Sequence, residues 1–103
     1  MAMETVSVAL LRLAAAGYTD EFWAETGGLR SRSNGTLHAP DLFRVDEVVR
    51  FEGDSDPSDE SAVFALTLES DGTKGTYTVG YGPMMDGLDA DMVRLLRSRY
   101  RSR

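Results

Sequence analysis

The sequence contains no cysteine among its 103 residues. This absence excludes disulfide bonds, thiol catalysis, and every zinc or iron–sulfur site that depends on thiolate ligands. The chain also has no apolar run close to the roughly 20 residues that a membrane-spanning helix requires, and no basic-then-apolar export segment. We therefore expect a cytoplasmic, soluble protein without membrane contact, folded as a single domain over residues 1–103.

Basic residues are scarce over most of the chain and concentrated at its end. The last ten residues hold five of the eleven bases, the arginines at 94, 97, 99, 101 and 103. The preceding residues carry six bases and all seventeen acids, a net charge of −11 that repels a phosphate backbone. The arginines could still contact RNA, but complementing a helix dipole or folding back on the acidic body is the favoured interpretation. Nucleic acid is therefore disfavoured as a partner.

The spacing of apolar residues predicts an α+β fold. Val6, Leu10 and Leu13 recur at helical intervals before Gly17, which predicts a helix over about 4–16. A second helix over about 89–100 has Asp89 as its cap, and its buried stripe is Met92, Leu95, Leu96 and Tyr100. Between these helices, within about 21–81, we expect an antiparallel sheet of about five strands. Its turns contain Gly27-Gly28, Ser33-Asn34-Gly35 and Asp71-Gly72.

One predicted strand has a clear alternation. Val45, Glu47, Val49 and Phe51 should share one face, opposite Asp46, Val48 and Arg50. A tight turn at Pro40–Phe43 precedes it. Trp23 and Tyr77 also fall on predicted strands, where burial under a helix is commoner than a role in a stacking platform with Tyr81 and Tyr100.

An acidic loop spans residues 53–61. Its carboxylates are of the type that binds Ca²⁺ or Mg²⁺, but its spacing is not that of an EF-hand: counted from Asp54, the sixth position is Asp59 and the twelfth is Ala65. A solvated loop with a turn at Asp56-Pro57 is the favoured interpretation, with cation binding and partner docking as alternatives. The candidate ligand- or partner-binding residues here are Asp54, Asp56, Asp59, Glu60 and the nearby Tyr81.

His38 is the only histidine, so acid–base chemistry near neutral pH would depend on it. We include it among the candidate binding residues. Serines and aspartates are abundant, but a Ser-His-Asp set has no meaning without geometry. The segment Gly80-Tyr81-Gly82-Pro83 lacks the lysine and the glycines of a phosphate-binding loop. We therefore predict no catalytic residue, no metal and no cofactor.

Two segments resemble a family of prokaryotic proteins about 100 residues long: Gly17-Tyr18-Thr19, and Arg50-Phe51-Glu52-Gly53 continuing to Ser55-Asp56-Pro57. The resemblance covers most of the chain and includes Gly80-Tyr81-Gly82-Pro83. Members of this family are often labelled phosphoribosylpyrophosphate synthetase. The present chain is too short for the paired domains of that enzyme and has no pyrophosphate loop, so its residues do not support that activity.

Some members of this family carry two zinc-ribbon-like cysteine pairs. The resemblance implies that the first pair would fall at Ser31 and Asn34, before Gly35, and the second at Leu68 and Asp71, before Gly72. Both glycines are present and all four ligand positions lack cysteine. The resemblance therefore implies two ribbon-like hairpins without a metal.

Together these patterns predict a small non-catalytic domain that acts as a protein-interaction or self-associating module. Its partner would be another protein or a second copy of the chain. The alternative is a small enzyme, or a metabolite- or cation-binding protein that uses the acidic loop. A third hypothesis is a nucleic-acid accessory protein that uses its arginine-rich end.

Overall fold

The computed structural model describes residues 5–51, 61–80 and 87–99. A helix lies near each end of the chain and a sheet lies between them in sequence, so the predicted α+β class is confirmed. The elements are α1 (Val6–Ala15), β1 (Asp20–Glu25), β2 (Gly28–Ser31), β3 (Leu37–His38), a 3-10 turn (Pro40–Leu42), β4 (Phe43–Phe51), β5 (Ser61–Leu68), β6 (Lys74–Gly80) and α2 (Gly87–Arg99).

The six strands form one mixed sheet in the order β3-β2-β1-β6-β5-β4. Strands β1 to β3 form one antiparallel meander and β4 to β6 form another. Parallel pairing of β1 with β6, which places Phe22 opposite Tyr77, joins the two meanders. The sequence predicted about five antiparallel strands and missed this parallel pair, because turn residues report only the connections between neighbouring strands.

Helix α1 packs on one face of the sheet, over β5 and β6. It begins at Thr5, whose hydroxyl accepts a hydrogen bond of 3.1 Å from the Val8 amide. Its Ala9 and Leu13 side chains are buried, and Leu13 belongs to the small cluster formed with Val63 and Ala65 of β5. We call this side of the sheet the α1 face.

Helix α2 packs on the opposite side, which we call the α2 face. Met92, Val93 and Leu96 are buried in the larger core cluster together with Phe22 and Phe43. The buried Tyr77 donates a hydrogen bond of 2.5 Å from its hydroxyl to Asp89 Oδ1, which links β6 to the first turn of α2. Within the described ranges, no helix is long and apolar enough to cross a membrane.

One prediction for the second helix was wrong, and another is not tested. Leu95 was expected in the buried stripe, but it is 44% exposed. Tyr100, the last residue of that stripe, lies outside the described residues.

Strand β4 does not keep the predicted alternation. Its register against β5 shifts between Val45 and Glu47, where Asp46 is an extra residue. Val45 consequently joins the α2-face cluster, whereas Phe51 packs against the α1-face cluster. The prediction that these two side chains share a face was wrong, because a bulge reverses the side-chain order without a signal in the hydrophobic pattern.

The turns that follow β2 and β5 have the same hydrogen-bond pattern. The Gly35 amide donates to the Ser31 carbonyl, and the Gly72 amide donates to the Leu68 carbonyl, at 2.9 and 2.8 Å. Both glycines have positive φ, +71° and +79°, so a non-glycine residue would be strained there. Strands β1 and β6 separate these turns by about 14 Å across the sheet. The two positions implied by the family resemblance are thus similar turns that lie three strand spacings apart.

Candidate binding site

Only one of the six predicted site residues, His38, lies in the described part of the chain. The other five, Asp54, Asp56, Asp59, Glu60 and Tyr81, lie outside the described residues. The His38 ring is half-buried on β3, with Nε2 2.6 Å from the Thr36 hydroxyl. The ring also lies edge-to-face with the Phe43 ring at 6.2 Å, and, after hydrogen bonding from Thr73, His38 helps to lower the pKa of Asp71. These contacts fix the start of the second meander and resemble no catalytic set.

The described residues also contain no group of three or more histidine, aspartate or glutamate side chains able to hold a metal ion. Two neighbouring features of the α1 face are candidate binding sites: an uncovered stretch of sheet and a groove beside α1.

The stretch of sheet over β1, β2 and β3 presents large side chains on the α1 face. Phe22 and Ala24 pack in the α2-face cluster, so the alternation of β1 directs Trp23 to the opposite face. Register then places Arg30 beside Trp23, and Leu37 beside Arg30. Trp23 is 42% exposed and Leu37 is 40% exposed. The predicted burial of Trp23 under a helix was wrong, because α1 packs over β5 and β6 instead.

We call this region the open sheet surface and define it by five residues of four strands: Trp23, Glu25, Arg30, Leu37 and Thr78. Polar contacts fix its central side chains. The Trp23 indole donates to Glu25 Oε2 at 2.7 Å, and Arg30 Nη2 lies 2.8 Å from Glu25 Oε1. Hydrogen bonds from Arg30 and then Trp23 lower the pKa of Glu25 below its usual value, so this carboxylate stays charged near neutral pH. The indole is therefore held in place rather than free to rotate.

A groove of about 460 Å³ runs between α1 and the strands beside it, and we call it the α1 groove. Leu10 and Ala14 form its apolar wall. The other lining residues are polar or aromatic: Tyr18, Thr19, Asp20, Glu21, Arg32, Ser33 and Thr76.

Asp20 is the best-coordinated polar group of the α1 groove. Asp20 is only 8% exposed, and its carboxylate accepts four hydrogen bonds. Two come from the Ser31 and Ser33 hydroxyls at 2.5 and 3.0 Å, and two come from the amides of Glu21 and Ser33 at 2.8 and 3.0 Å. Burial alone would raise the pKa of Asp20, but these donors outweigh it and lower the pKa. Asp20 is thus a fixed anion that positions Ser33 at the rim.

Thr76 lies on the floor of the α1 groove. Its neighbour Tyr77 faces α2, so alternation directs Thr76 to the α1 face, where it is 5% exposed. In the described part of the chain, the Thr76 hydroxyl makes no hydrogen bond. A buried hydroxyl without a partner is uncommon in proteins.

Tyr18 lines the groove through its ring and anchors it through its hydroxyl. This hydroxyl donates to Asp46 Oδ2 at 2.8 Å, and the Thr67 hydroxyl donates to the same oxygen at 2.6 Å. Burial and the bond to Asp46 raise the pKa of Tyr18 to about 12, so the phenol keeps its proton and cannot act as a general base near neutral pH. The Tyr18 hydroxyl is therefore engaged with Asp46.

The sequence analysis missed both features of the α1 face. Asp20 and Thr76 are single polar residues at strand positions, and neither belongs to a motif. The available signal was the polar pair Ser31 and Ser33 beside a predicted turn, which indicates a fixed loop but gives no partner.

Comparison of the chain with protein-family models, curated protein sequences and solved structures finds no match.

Proposed function

We propose that this protein is a non-catalytic interaction domain that self-associates through the open sheet surface. The observation that carries the proposal is the exposed Trp23, held beside Arg30 and Leu37 on a sheet face that α1 leaves uncovered. Tryptophan and arginine are enriched among the residues that contribute most to protein interfaces. The interaction surface first predicted, the acidic loop with Tyr81, lies outside the described residues.

Charge favours a second copy of the chain as the partner. The chain has a net charge of −6, which makes two copies repel over most of their surface. The open sheet surface is locally neutral, since Glu25 and Arg30 form an ion pair there. Two copies therefore meet with least repulsion at this surface.

The same ion pair makes the surface complementary to itself. Glu25 lies on β1 and Arg30 lies on the adjacent β2. A twofold axis parallel to these strands and between them would place Trp23 of each copy over Arg30 of the other, with Glu25 of each copy two residues along the strand from that Arg30. Isologous contacts of this kind are the commonest interfaces of homo-oligomers.

A charge-exchange experiment tests this arrangement. Glu25→Arg and Arg30→Glu each place like charges opposite one another in a homodimer, so we expect each variant to sediment as a monomer where the wild type is dimeric. An equimolar mixture of the two variants restores opposite charges across the interface, and we expect it to form a heterodimer. Sedimentation equilibrium measures all three states.

Leu11→Glu on α1 is the matched control, because Leu11 is 73% exposed and lies on a different surface. It should leave the wild-type association constant unchanged. A wild type that is monomeric at high concentration would overturn the proposal. So would a mixture that stays monomeric, or single variants that dimerise as the wild type does; this last result would point to another surface or partner.

A further inference from the structure

We infer that the α1 groove binds a small zwitterion of the amino-acid class that carries an apolar side chain. This inference is independent of the proposed self-association, because it rests on Thr76 and the residues around it rather than on the open sheet surface.

The first argument concerns the buried hydroxyl of Thr76. Thr76 is 95% buried, lines the α1 groove, and has no hydrogen-bonding partner in the ranges that the structure describes. Threonine both donates and accepts hydrogen bonds, so its hydroxyl can bind a carboxylate or an ammonium group equally well. A ligand that supplies such a group would satisfy Thr76 on binding.

The second argument concerns the charges at the rim. Arg32 Nη1 lies 2.6 Å from Glu21 Oε1, and both side chains are more than half exposed. Exposed ion pairs of this kind contribute little to stability, so exchanging the pair for a ligand costs little. The carboxylate of a ligand can then bind the planar guanidinium of Arg32. The ammonium group of the same ligand can bind the Glu21 carboxylate.

The third argument selects among ligand classes. A simple anion would meet Arg32 but also the carboxylate of Glu21, whereas a simple cation would leave Arg32 unused. A zwitterion matches both signs. The wall of Leu10 and Ala14 provides apolar contact for its side chain, and the volume of about 460 Å³ accommodates a small metabolite.

L-leucine is the probe for this inference. In a titration followed by amide chemical shifts, we expect saturable changes at Ser33 and Thr76 and at neighbouring residues of the groove. Glycine lacks the apolar side chain, 4-methylpentanoate lacks the ammonium group, and 3-methylbutylamine lacks the carboxylate. Each analogue should bind at least tenfold more weakly than L-leucine.

Two substitutions at Thr76 and one control substitution elsewhere locate the site. Thr76→Val keeps the shape of the side chain and removes its hydroxyl, so we expect L-leucine affinity to fall about tenfold. Thr76→Ser restores a hydroxyl and should recover most of the affinity. Thr73→Val, just before β6 and outside both the groove and the open sheet surface, should bind as the wild type does.

The inference is overturned if L-leucine causes no saturable shift, or if the analogues bind as well as L-leucine. It is also overturned if Thr76→Val binds normally. The same titration of the Glu25→Arg variant separates this outcome from failure of the proposed self-association, because Glu25 does not line the groove.

Discussion

The two halves of the α1 face are built from the same sheet yet differ in what they present. Over β5, Leu13 of α1 packs on Val63 and Ala65, and none of these three side chains is more than 1% exposed. Over β1 and β2, the exposed Trp23 and the half-buried Arg30 are joined through Glu25. The covered half thus has small or aliphatic residues, and the open half has large residues with polar ends.

The covered half contributes stability through burial, whereas the open half keeps apolar area in contact with water. Aliphatic side chains of the covered half gain free energy only by leaving water, so they need α1 above them. The side chains of the open half combine apolar area with hydrogen bonds, so they tolerate water and can also bury area against a partner. The α1 groove, with Thr76 on its floor, lies at the boundary between the halves.

The largest expected effect comes from the covered half. Leu13→Ala removes buried methyl groups beneath α1 and should lower the free energy of unfolding by about 2–5 kcal/mol. Leu11→Ala, on the exposed side of the same helix, should change it by no more than about 0.5 kcal/mol. Chemical denaturation with two-state analysis measures both values. Equal losses of unfolding free energy in the two variants would show that α1 does not stabilise this half of the face by packing on it.

A smaller effect is expected at the junction of the two meanders. Gly75 pairs with Asp20 across the parallel β1/β6 contact, and a Cβ there would lie 2.6 Å from the Asp20 carbonyl oxygen and 2.7 Å from the Phe22 ring. Gly75→Ala should therefore cost about 1–3 kcal/mol of unfolding free energy.

Gly80→Ala is the matched control, because a Cβ on Gly80, in the same strand, meets nothing within 4 Å. It should be neutral or slightly stabilising. If Gly75→Ala is equally well tolerated, the close approach of β1 and β6 at Gly75 does not limit the junction of the two meanders.

The smallest effect is a pH dependence at the edge of the groove. The pKa of Tyr18 rises from its ordinary value of 10.0 to about 12 in the folded chain, first through burial and then through the bond to Asp46. Between pH 10 and 12 the unfolded chain therefore loses this proton while the folded chain keeps it. The contribution of Tyr18 to stability is complete below pH 10 and is lost as the pH rises toward 12.

Urea denaturation of the wild type and Tyr18→Phe at several pH values measures this contribution as the difference between two profiles. We expect the profiles to converge as the pH rises from 10 to 12. Parallel profiles over that interval would show that the phenol is not held in its protonated form by the fold.

Much of the local structure could be predicted from the sequence. Helical spacing predicted α1 and α2, which begin and end within two residues of their expected limits. Glycines at Gly27, Gly35 and Gly72 predicted turns, and all three have positive φ in the structure. These features depend on residues that are close in sequence, so a local pattern is sufficient to encode them.

The candidate site could not be predicted in the same way. Asp20 meets Ser31 and Ser33 only after β1 and β2 pair, and Thr76 reaches the same groove only through the parallel contact of β6 with β1. The bulge at Asp46 likewise appears only when β4 pairs with β5. The exposure of Trp23 depends on where α1 packs, and the sequence around Trp23 gives no indication of that position.

The sequence by itself determined that no thiolate chemistry is possible, that the charge is acidic, and which segments turn or form helices, because composition and short-range spacing fix these properties. Only the tertiary structure decided which half of the sheet α1 covers and which polar side chains share the groove. Long-range pairing brings these residues together, and its energy comes from burial summed over the whole sheet rather than from any short segment.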